Sequence, residues 1–257
     1  MDLKLSGKRA AITGASKGIG RAVAESLAAE GVDLDLTARN SEALAAAASE
    51  LGDKYDITVR TFAHDLLNPA EQAAFAEEAS EADFLVNVAG AVPPGEIDTL
   101  SDEALRTGLE LKMFGYIGLS RHFYTQMKAR RSGVIANVIG MSGVRLDPMN
   151  IAITTGNAAL IAFTRALGAR SVDFGIRVVG VNPALTATER AVGLMRNRAE
   201  KELGDADKWE ELTTGMPGGR IATPQEVADA VAFLLSERAQ WISGSLVNID
   251  GGLEFHP

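Results

Sequence analysis

Short apolar segments alternate with longer helical patterns along almost the whole chain of 257 residues. Neighbouring parallel strands must be joined by a crossover, which is usually a helix and almost always right-handed. The alternation therefore predicts one doubly wound α/β domain, with a seven-stranded parallel sheet and helices on both faces. The predicted strands span 9–13, 32–37, 57–62, 84–88, 134–139, 176–181 and 246–249, and the predicted helices span 19–30, 41–51, 69–80, 102–130, 156–174 and 223–236.

No linker or internal repeat divides the chain, so residues 1–257 are interpreted as a single domain. The segment 184–220 is the one stretch without a clear pattern. It is long for a connection, and long connections are usually lids or binding loops. Its many charges suit a solvated, partly helical excursion equally well, so both interpretations stay open.

Composition excludes several classes of function. The chain is 46% hydrophobic and 23% charged, as in an ordinary globular protein, and its formal charge of −9 disfavours nucleic acid as a partner. Zero cysteines exclude disulfides and thiolate metal sites, and the three histidines have no metal-ligand spacing. We expect no metal and no membrane partner, because no apolar stretch approaches the roughly 20 residues that span a bilayer. A cytoplasmic location is expected.

Three glycines follow the first predicted strand and lead directly into a helix, in the sequence Thr13-Gly14-Ala15-Ser16-Lys17-Gly18-Ile19-Gly20. Gly14 permits a sharp turn, Gly18 lets the backbone approach a pyrophosphate, and Gly20 lets helix and sheet pack closely. The helix N-terminus then offers free N–H groups and a positive dipole to the anion. The position of the motif predicts a dinucleotide-binding domain of the Rossmann type.

The Thr-Gly-x-x-x-Gly-x-Gly spacing resembles that of the short-chain dehydrogenase/reductase family, and the resemblance extends over nearly the whole chain. Asp65 follows the third strand, Asn87-Val88-Ala89-Gly90 ends the fourth, Asn182-Pro183 ends the sixth, and Asp250-Gly251-Gly252 closes the last. The resemblance implies a homotetramer or homodimer acting on a small molecule. It also implies cofactor contacts from Gly14, Ser16, Lys17, Gly18, Ile19, Gly20, Arg39, Asp65, Asn87, Ala89, Gly90, Asn157, Pro183 and Thr188.

The tip of the second strand indicates which nicotinamide cofactor is bound. An acidic residue there would hold the ribose 2′-hydroxyl of NAD, whereas a 2′-phosphate needs cations. The tip reads Thr37-Ala38-Arg39-Asn40 and has no acidic residue. Arg39 and Lys17 can bind a phosphate, and Asp33 and Asp35 lie too early in the strand to reach the ribose. NADP(H) is therefore preferred over NAD(H).

Enzymes of this family use an asparagine, a serine, a tyrosine and a lysine. The corresponding positions in this chain are Lys112, Gly140, Ile153 and Asn157, so all four differ. Gly140 and Ile153 keep the usual spacing, so no gap explains the change. Isoleucine cannot exchange a proton, and glycine has no side-chain donor.

Three accounts of the altered site remain open. In the first, the chain is an oxidoreductase with a non-standard catalytic set, in which Lys112 is the acid and Ser142, Thr154 or Thr155 polarises a carbonyl. In the second, it binds nucleotide without turnover, and in the third the pocket performs non-redox chemistry. The first account is preferred, with an apolar or acyl substrate. The walls of its pocket are expected to include Met141, Leu146, Met149, Leu194, Met195 and Met216.

Overall fold

The computed structural model describes residues 2–90 and 92–256, and within them the chain forms one seven-stranded sheet and eight α-helices. Every strand pair is parallel, in the order β3-β2-β1-β4-β5-β6-β7, which confirms the predicted fold. The strands are β1 Arg9–Thr13, β2 Asp33–Ala38, β3 Val59–Ala63, β4 Phe84–Asn87, β5 Gly133–Val138, β6 Ile176–Pro183 and β7 Leu246–Ile249. The helices are α1 Gly18–Ala29, α2 Ser41–Lys54, α3 Pro69–Glu78, α4 Asp102–Leu109, α5 Gly115–Arg130, α6 Ile151–Ser171, α7 Glu189–Leu203 and α8 Pro224–Leu235.

The strand order reverses between β1 and β4. Ile12 of β1 lies between Leu36 of β2 and Val86 of β4, so the chain winds outward in both directions from this strand. In open α/β sheets the ligand cleft forms at such a switch point, outside the carboxyl ends of the strands. The fold therefore places the glycine motif and the ends of β4, β5 and β6 along one edge.

Two apolar cores cover the faces of the sheet. On one face α1, α2 and α8 pack their apolar stripes against the strands, with Leu27 and Val231 fully buried. On the other face α3 and α5 contribute Phe75 and Phe123, whose ring centroids lie 6.1 Å apart. Apolar side chains on both faces explain why the strands lack a simple alternation of apolar and polar residues.

Side-chain caps fix where several helices begin. Thr223 caps α8 as predicted, and Glu226 completes a capping box with it. Pro69 begins α3, also as predicted, after the cap Asn68. The predicted cap of α2 is one residue off, because Asn40 rather than Ser41 accepts from the Ala43 N–H.

Two helix predictions need correction. The helix predicted over 102–130 is divided by a π turn, Glu110–Phe114, between α4 and α5. The helix predicted to begin at residue 156 begins at Ile151, so Ile153 lies in its first turn. The periodic pattern is weak there because Thr154 is buried beside apolar neighbours.

The segment 184–220 is more ordered than predicted. It contains α7 and two 3₁₀ segments, Ala206–Thr213 and Pro217–Gly219. A parallel bridge between Thr186 and Ala222 closes its base. Charged residues cover one face of α7, so the sequence alone did not predict this helix. Met195 and Ala199 are buried on the other face.

The expectation that no apolar stretch is long enough to span a membrane is wrong by length and composition alone. The 24 residues of Ile151–Phe174 satisfy that criterion, with a mean hydropathy of 1.2 in their best window. In the fold this helix packs against the sheet region, where Leu160 and Ile161 contact Tyr116 and Ile139. The apolar composition of this helix reflects small residues that pack closely against their neighbours.

A buried acidic side chain joins the first three strands. Asp35 of β2 is fully buried, and both of its oxygens accept from the guanidinium of Arg60, at 2.7 and 2.8 Å. Arg9 of β1 adds a longer bond of 3.3 Å to Asp35 and a second contact to Asp33. The ion pair with Asp35 raises the pKa of Arg60. Asp33 and Asp35 are thus engaged away from the strand tip, in agreement with the sequence analysis.

We expect the Asp35→Ala variant to lower the free energy of unfolding by about 3 kcal/mol, because it leaves guanidinium groups without their buried counter-charge. Partial access of both arginines to water keeps the loss at the low end of the usual range. Urea denaturation followed by circular dichroism measures it. Asp173→Ala is the control, since its pair with Arg170 is exposed and contributes less than about 1 kcal/mol. Equal losses of stability in the two variants would contradict the stabilising role of the buried Asp35 ion pair.

Candidate cofactor and active site

The loop between β1 and α1 has little room for side chains at its three glycine positions. Gly14 and Gly18 have φ values of +65° and +58°, which L side chains rarely adopt. A Cβ on Gly14 would lie 3.1 Å from the Cα of Ala89, and one on Gly20 would collide with the carbonyl oxygen of Gly14. The loop, the first turn of α1 and the end of β4 are therefore packed backbone against backbone.

The start of α1 is open to an anion. Lys17 occupies the N-cap position without making a side-chain cap, and the first turn contains no acidic residue. Among the described residues, no acceptor bonds the amides of Gly18, Ile19 and Gly20. Free amides at a helix N-terminus bind phosphate groups, so the loop fits the pyrophosphate of a dinucleotide. Ser16 lies half-buried in the same loop.

Two cations flank the tip of β2. Arg39 directly follows the strand, Lys17 lies in the glycine loop, and both side chains are exposed. Within residues 2–90 and 92–256, neither forms a salt bridge. The neighbouring Asn40 caps α2 through its side chain. Two cations without counter-charges beside a nucleotide loop are the arrangement that a 2′-phosphate requires.

The end of β4 is tied to the glycine loop by one hydroxyl group. Thr13 Oγ1 accepts from the backbone N–H groups of Val88 and Ala89, at 2.8 and 2.9 Å. Asp65, expected near the adenine, lies half-buried after β3 and uses one oxygen to accept from the Leu67 N–H. The Thr13 contacts hold the ends of β1 and β4 together at the edge of the cleft.

Asn87, which is expected to contact the cofactor, has its side chain engaged with other residues of the protein. Asn87 is fully buried, and its amide donates to Asn137 Oδ1 at 2.9 Å and to Ser120 Oγ at 3.2 Å. Asn137 in turn donates to Thr164 on α6. The side chain therefore joins β4 to β5 and α5 below the cleft, because a buried amide must satisfy its donors internally.

The end of β6 and the start of α7 meet the glycine loop. Pro183 ends β6 and is buried. Thr188 caps α7, and its methyl group lies where a Cβ on Gly18 would approach to 3.1 Å. The first residues of the 184–220 segment thus lie directly beside the loop that fits the pyrophosphate.

Lys112 is buried at the centre of the π turn. Its Nζ donates to the carbonyl of Val138 at 2.8 Å and to Tyr116 Oη at 2.9 Å. The Tyr116 hydroxyl donates to the same carbonyl at 2.9 Å. The side chain of Lys112 also packs against Gly90, where a Cβ would lie 2.7 Å from its Cδ. Lys112 therefore lies between the ends of β4 and β5, and does not point to solvent.

Burial changes the protonation of this pair. Desolvation lowers the pKa of Lys112 to about 7 and raises the pKa of Tyr116. In the part of the chain that the structure describes, no carboxylate lies within ion-pair distance of Lys112. A buried lysine with a lowered pKa and no counter-charge is a candidate functional group.

The other three positions expected to be catalytic lie around the end of β5. Gly140 has φ +136° and ψ 149°, a conformation essentially restricted to glycine. Asn157 is buried and donates to the Gly140 carbonyl across a long 3.4 Å, and Ile153 is half-buried one turn earlier on α6. An apolar side chain and a bare backbone thus occupy this side of the cleft.

The three hydroxyl groups expected to polarise a carbonyl differ in their surroundings, and that of Thr155 lies on an exposed residue of α6. Ser142 is half-buried in a 3₁₀ turn after β5, and its hydroxyl has no protein partner among residues 2–90 and 92–256. Thr154 Oγ1 donates to the Asp147 carbonyl and accepts from the Asp147 N–H, at 3.1 and 3.3 Å. Thr154 therefore fixes the loop before α6, which leaves Ser142 and Thr155 as the candidates whose hydroxyls are not engaged by the described residues.

Sequence reasoning missed two residues that shape the site. Tyr116 shares the Val138 carbonyl with Lys112, and Thr13 joins β1 to β4. The spacing of four residues between Lys112 and Tyr116 was the available signal for the first, because such residues share a helix face. The hydroxyl of Thr13, directly before Gly14, was the signal for the second.

The fold, the glycine loop and the switch-point cleft together define a dinucleotide-binding protein of the Rossmann type. The family model described as enoyl-(acyl carrier protein) reductase matches residues 14–254. The chain belongs to the short-chain dehydrogenase/reductase family.

Individual proteins agree with this assignment. The 2,3-dihydro-2,3-dihydroxybenzoate dehydrogenase of Bacillus subtilis is 34% identical over 96% of either chain. L-Sorbose reductase from Gluconobacter frateurii, solved with NADPH and L-sorbose, has a TM-score of 0.94 at 32% identity and covers 99% of either chain. An NAD⁺-bound xylitol dehydrogenase has a TM-score of 0.88 at 25% identity, covering 97% of this chain and all of that one.

We expect Gly140→Ser to lower the free energy of unfolding by about 1–3 kcal/mol, because serine must adopt the strained backbone conformation of Gly140. Urea denaturation measures the loss. Gly193→Ser is the matched control, since Gly193 lies in α7 with nothing within 4 Å of its added Cβ and an ordinary helical φ. A Gly140→Ser variant as stable as the control would show that the loop relaxes.

Proposed function

We propose that the chain is an NADP(H)-dependent oxidoreductase that interconverts a carbonyl and an alcohol with a non-standard catalytic set, in which Lys112 is the acid. The observation that carries the proposal is the buried Lys112 amine at the ends of β4 and β5, held by two hydrogen bonds and lacking an acidic partner in the described chain. By their spacing, Lys112, Gly140, Ile153 and Asn157 replace the family's asparagine, serine, tyrosine and lysine.

The cofactor site supports NADP(H). The bare glycine loop and the free amides of α1 fit a pyrophosphate, and Arg39 with Lys17 fits a 2′-phosphate. L-Sorbose reductase was solved with NADPH, whereas the xylitol dehydrogenase holds NAD⁺. Because the tip of β2 lacks the acidic residue that selects the 2′-hydroxyl, this chain is expected to resemble the first.

Lys112 can act as the acid because one of its protons is uncommitted. An ammonium group has three donors, and Val138 and Tyr116 accept two. The bound cofactor would supply the hydride to the carbonyl carbon, and the third N–H of Lys112 would stabilise and then protonate the oxygen. A pKa of about 7 suits this role at neutral pH. Ser142 would donate a second hydrogen bond to the same oxygen.

The rim of the cleft favours an apolar substrate. Leu146 and Met149, in the loop between β5 and α6, are 67% and 56% exposed, and Leu194 of α7 is 59% exposed. These residues follow the carboxyl ends of β5 and β6, which border the cleft, and exposed large apolar groups there support an apolar ligand. Met141 and Met195, also expected in the pocket wall, are buried instead, and Met216 is half-buried.

A lid, an oligomeric state and a cellular location are also proposed. The segment 184–220 would act as a lid, because Thr188 at its start meets Gly18 of the nucleotide loop. A homotetramer or homodimer and a cytoplasmic location are proposed from the family resemblance and the composition. The alternative of a nucleotide-binding protein without turnover is favoured by Gly140 and Ile153, which cannot exchange protons, and the experiments below distinguish it.

The cofactor proposal predicts that Arg39→Ala weakens NADPH binding about tenfold and leaves NADH binding unchanged, because one charge-assisted hydrogen bond is lost. Calorimetric titration with both cofactors measures the two dissociation constants. The control is Arg170→Ala, which removes an exposed arginine near the end of α6. Equal affinities of the unaltered protein for NADPH and NADH would contradict the preference.

The catalytic proposal predicts that Lys112→Met lowers kcat by 10²–10⁴-fold, the usual effect of losing a general acid. Carbonyl reduction by the unaltered protein should also decline above a pH of about 7, since the ammonium form is the donor. NADPH consumption on a panel of aliphatic ketones, acyl thioesters and ketoses measures both effects.

Lys201→Met serves as the control, because Lys201 is exposed on α7. Full activity of Lys112→Met would remove Lys112 from the mechanism. Tight NADPH binding without turnover on any substrate class would support the non-catalytic alternative, and faster turnover of ketoses than of aliphatic ketones would contradict the apolar substrate.

A further inference from the structure

We infer that Lys112 makes the site discriminate between the oxidised and the reduced nicotinamide cofactor, so that the oxidised form binds more weakly when Lys112 is protonated. The inference rests on the proposed function, because it requires that the cleft hold a nicotinamide. It concerns a property that the proposed catalytic role does not require, namely the affinity of the resting protein for two oxidation states.

The amine of Lys112 has a fixed position. Two hydrogen bonds hold Nζ against the end of β5, and the stem of the side chain packs against Gly90, which follows β4 and has no Cβ to displace it. Both strands end at the switch-point cleft, so the charge lies at its floor. A flexible surface lysine would be screened by water, whereas a buried one is screened much less.

In the described part of the chain, Lys112 has no counter-charge. On α5 the titratable neighbour of Lys112 is Tyr116, which stays neutral because burial raises its pKa. The end of β5 presents the Val138 carbonyl and Gly140, and α6 presents Asn157, which is uncharged at the position where the family has a lysine. Gly90 presents only backbone. Glu110, on the same turn as Lys112, is exposed to water, so the buried groups that contact Lys112 leave its ammonium without a counter-charge.

The physical consequence follows from the charges of the two cofactor forms. The oxidised nicotinamide ring carries a positive charge that the reduced ring lacks, while all other groups of the cofactor are the same. Like charges in a partly buried site repel by an amount equivalent to about tenfold in affinity. Because burial lowers the pKa of Lys112 to about 7, this repulsion should be present at acid pH and disappear above neutrality.

The experiment measures binding and not turnover. Dissociation constants for NADPH and NADP⁺ are determined by calorimetry between pH 6 and pH 9, and their ratio is plotted. Titration of the 2′-phosphate and of the surface cations affects both forms alike and cancels in the ratio. For the unaltered protein, the ratio of the NADP⁺ constant to the NADPH constant should fall about tenfold as pH rises.

Three variants complete the test, after circular dichroism has shown that each is folded. Lys112→Met should give a ratio that does not change with pH, whereas the control Lys201→Met should behave as the unaltered protein. Tyr116→Phe keeps the amine but removes one acceptor of the ammonium form, so the fall in the ratio should shift to lower pH.

The possible failures are distinguishable. A pH-independent ratio in the unaltered protein, or the same slope in Lys112→Met, would overturn the inference and leave cofactor binding intact. Failure of both NADPH and NADP⁺ to bind would instead overturn the proposed function, and the inference with it.

Discussion

The site depends on the close contact between the first turn of α1 and the loop that leaves β1. Gly20 can approach the carbonyl of Gly14 only because it has no side chain, and this contact directs the amides of α1 toward the cleft. Thr13 then holds the end of β4 to the same loop through its hydroxyl. Removing either contact would separate the anion-binding amides from the strand ends that carry the proposed chemistry.

A second constraint is the burial of one amine. Lys112 lies in a π turn that interrupts the helical run, and π turns are frequent at functional sites. The turn directs its side chain to the end of β5, where Val138 and Tyr116 satisfy two of three donors. The burial that lowers the pKa of Lys112 to about 7 also reduces the screening of its charge by water. The catalytic proposal and the cofactor-discrimination inference therefore arise from one desolvation effect.

Much of the fold was predictable because its determinants are local. Apolar segments alternate with helical ones, and the caps Thr223 and Asn68 and the proline at 69 follow short-range rules. The helix boundaries near the site were less predictable. The beginning of α6 at Ile151 depends on contacts with the loop before it, where Asp147 bonds Thr154. The side-chain contacts of Asn87 with Ser120 and Asn137 were not predictable, because a motif does not show which way its side chain points.

The sequence by itself determined the doubly wound fold, the glycine loop and the cation at the tip of β2. These properties follow from residue identity and spacing, which the linear chain contains in full. Only the tertiary structure decided that Lys112 is buried without an acidic partner in the described chain, and that Gly140 has a backbone conformation that disfavours serine. Burial and backbone strain depend on residues distant in sequence, so they arise only when β4, β5 and α6 are brought together.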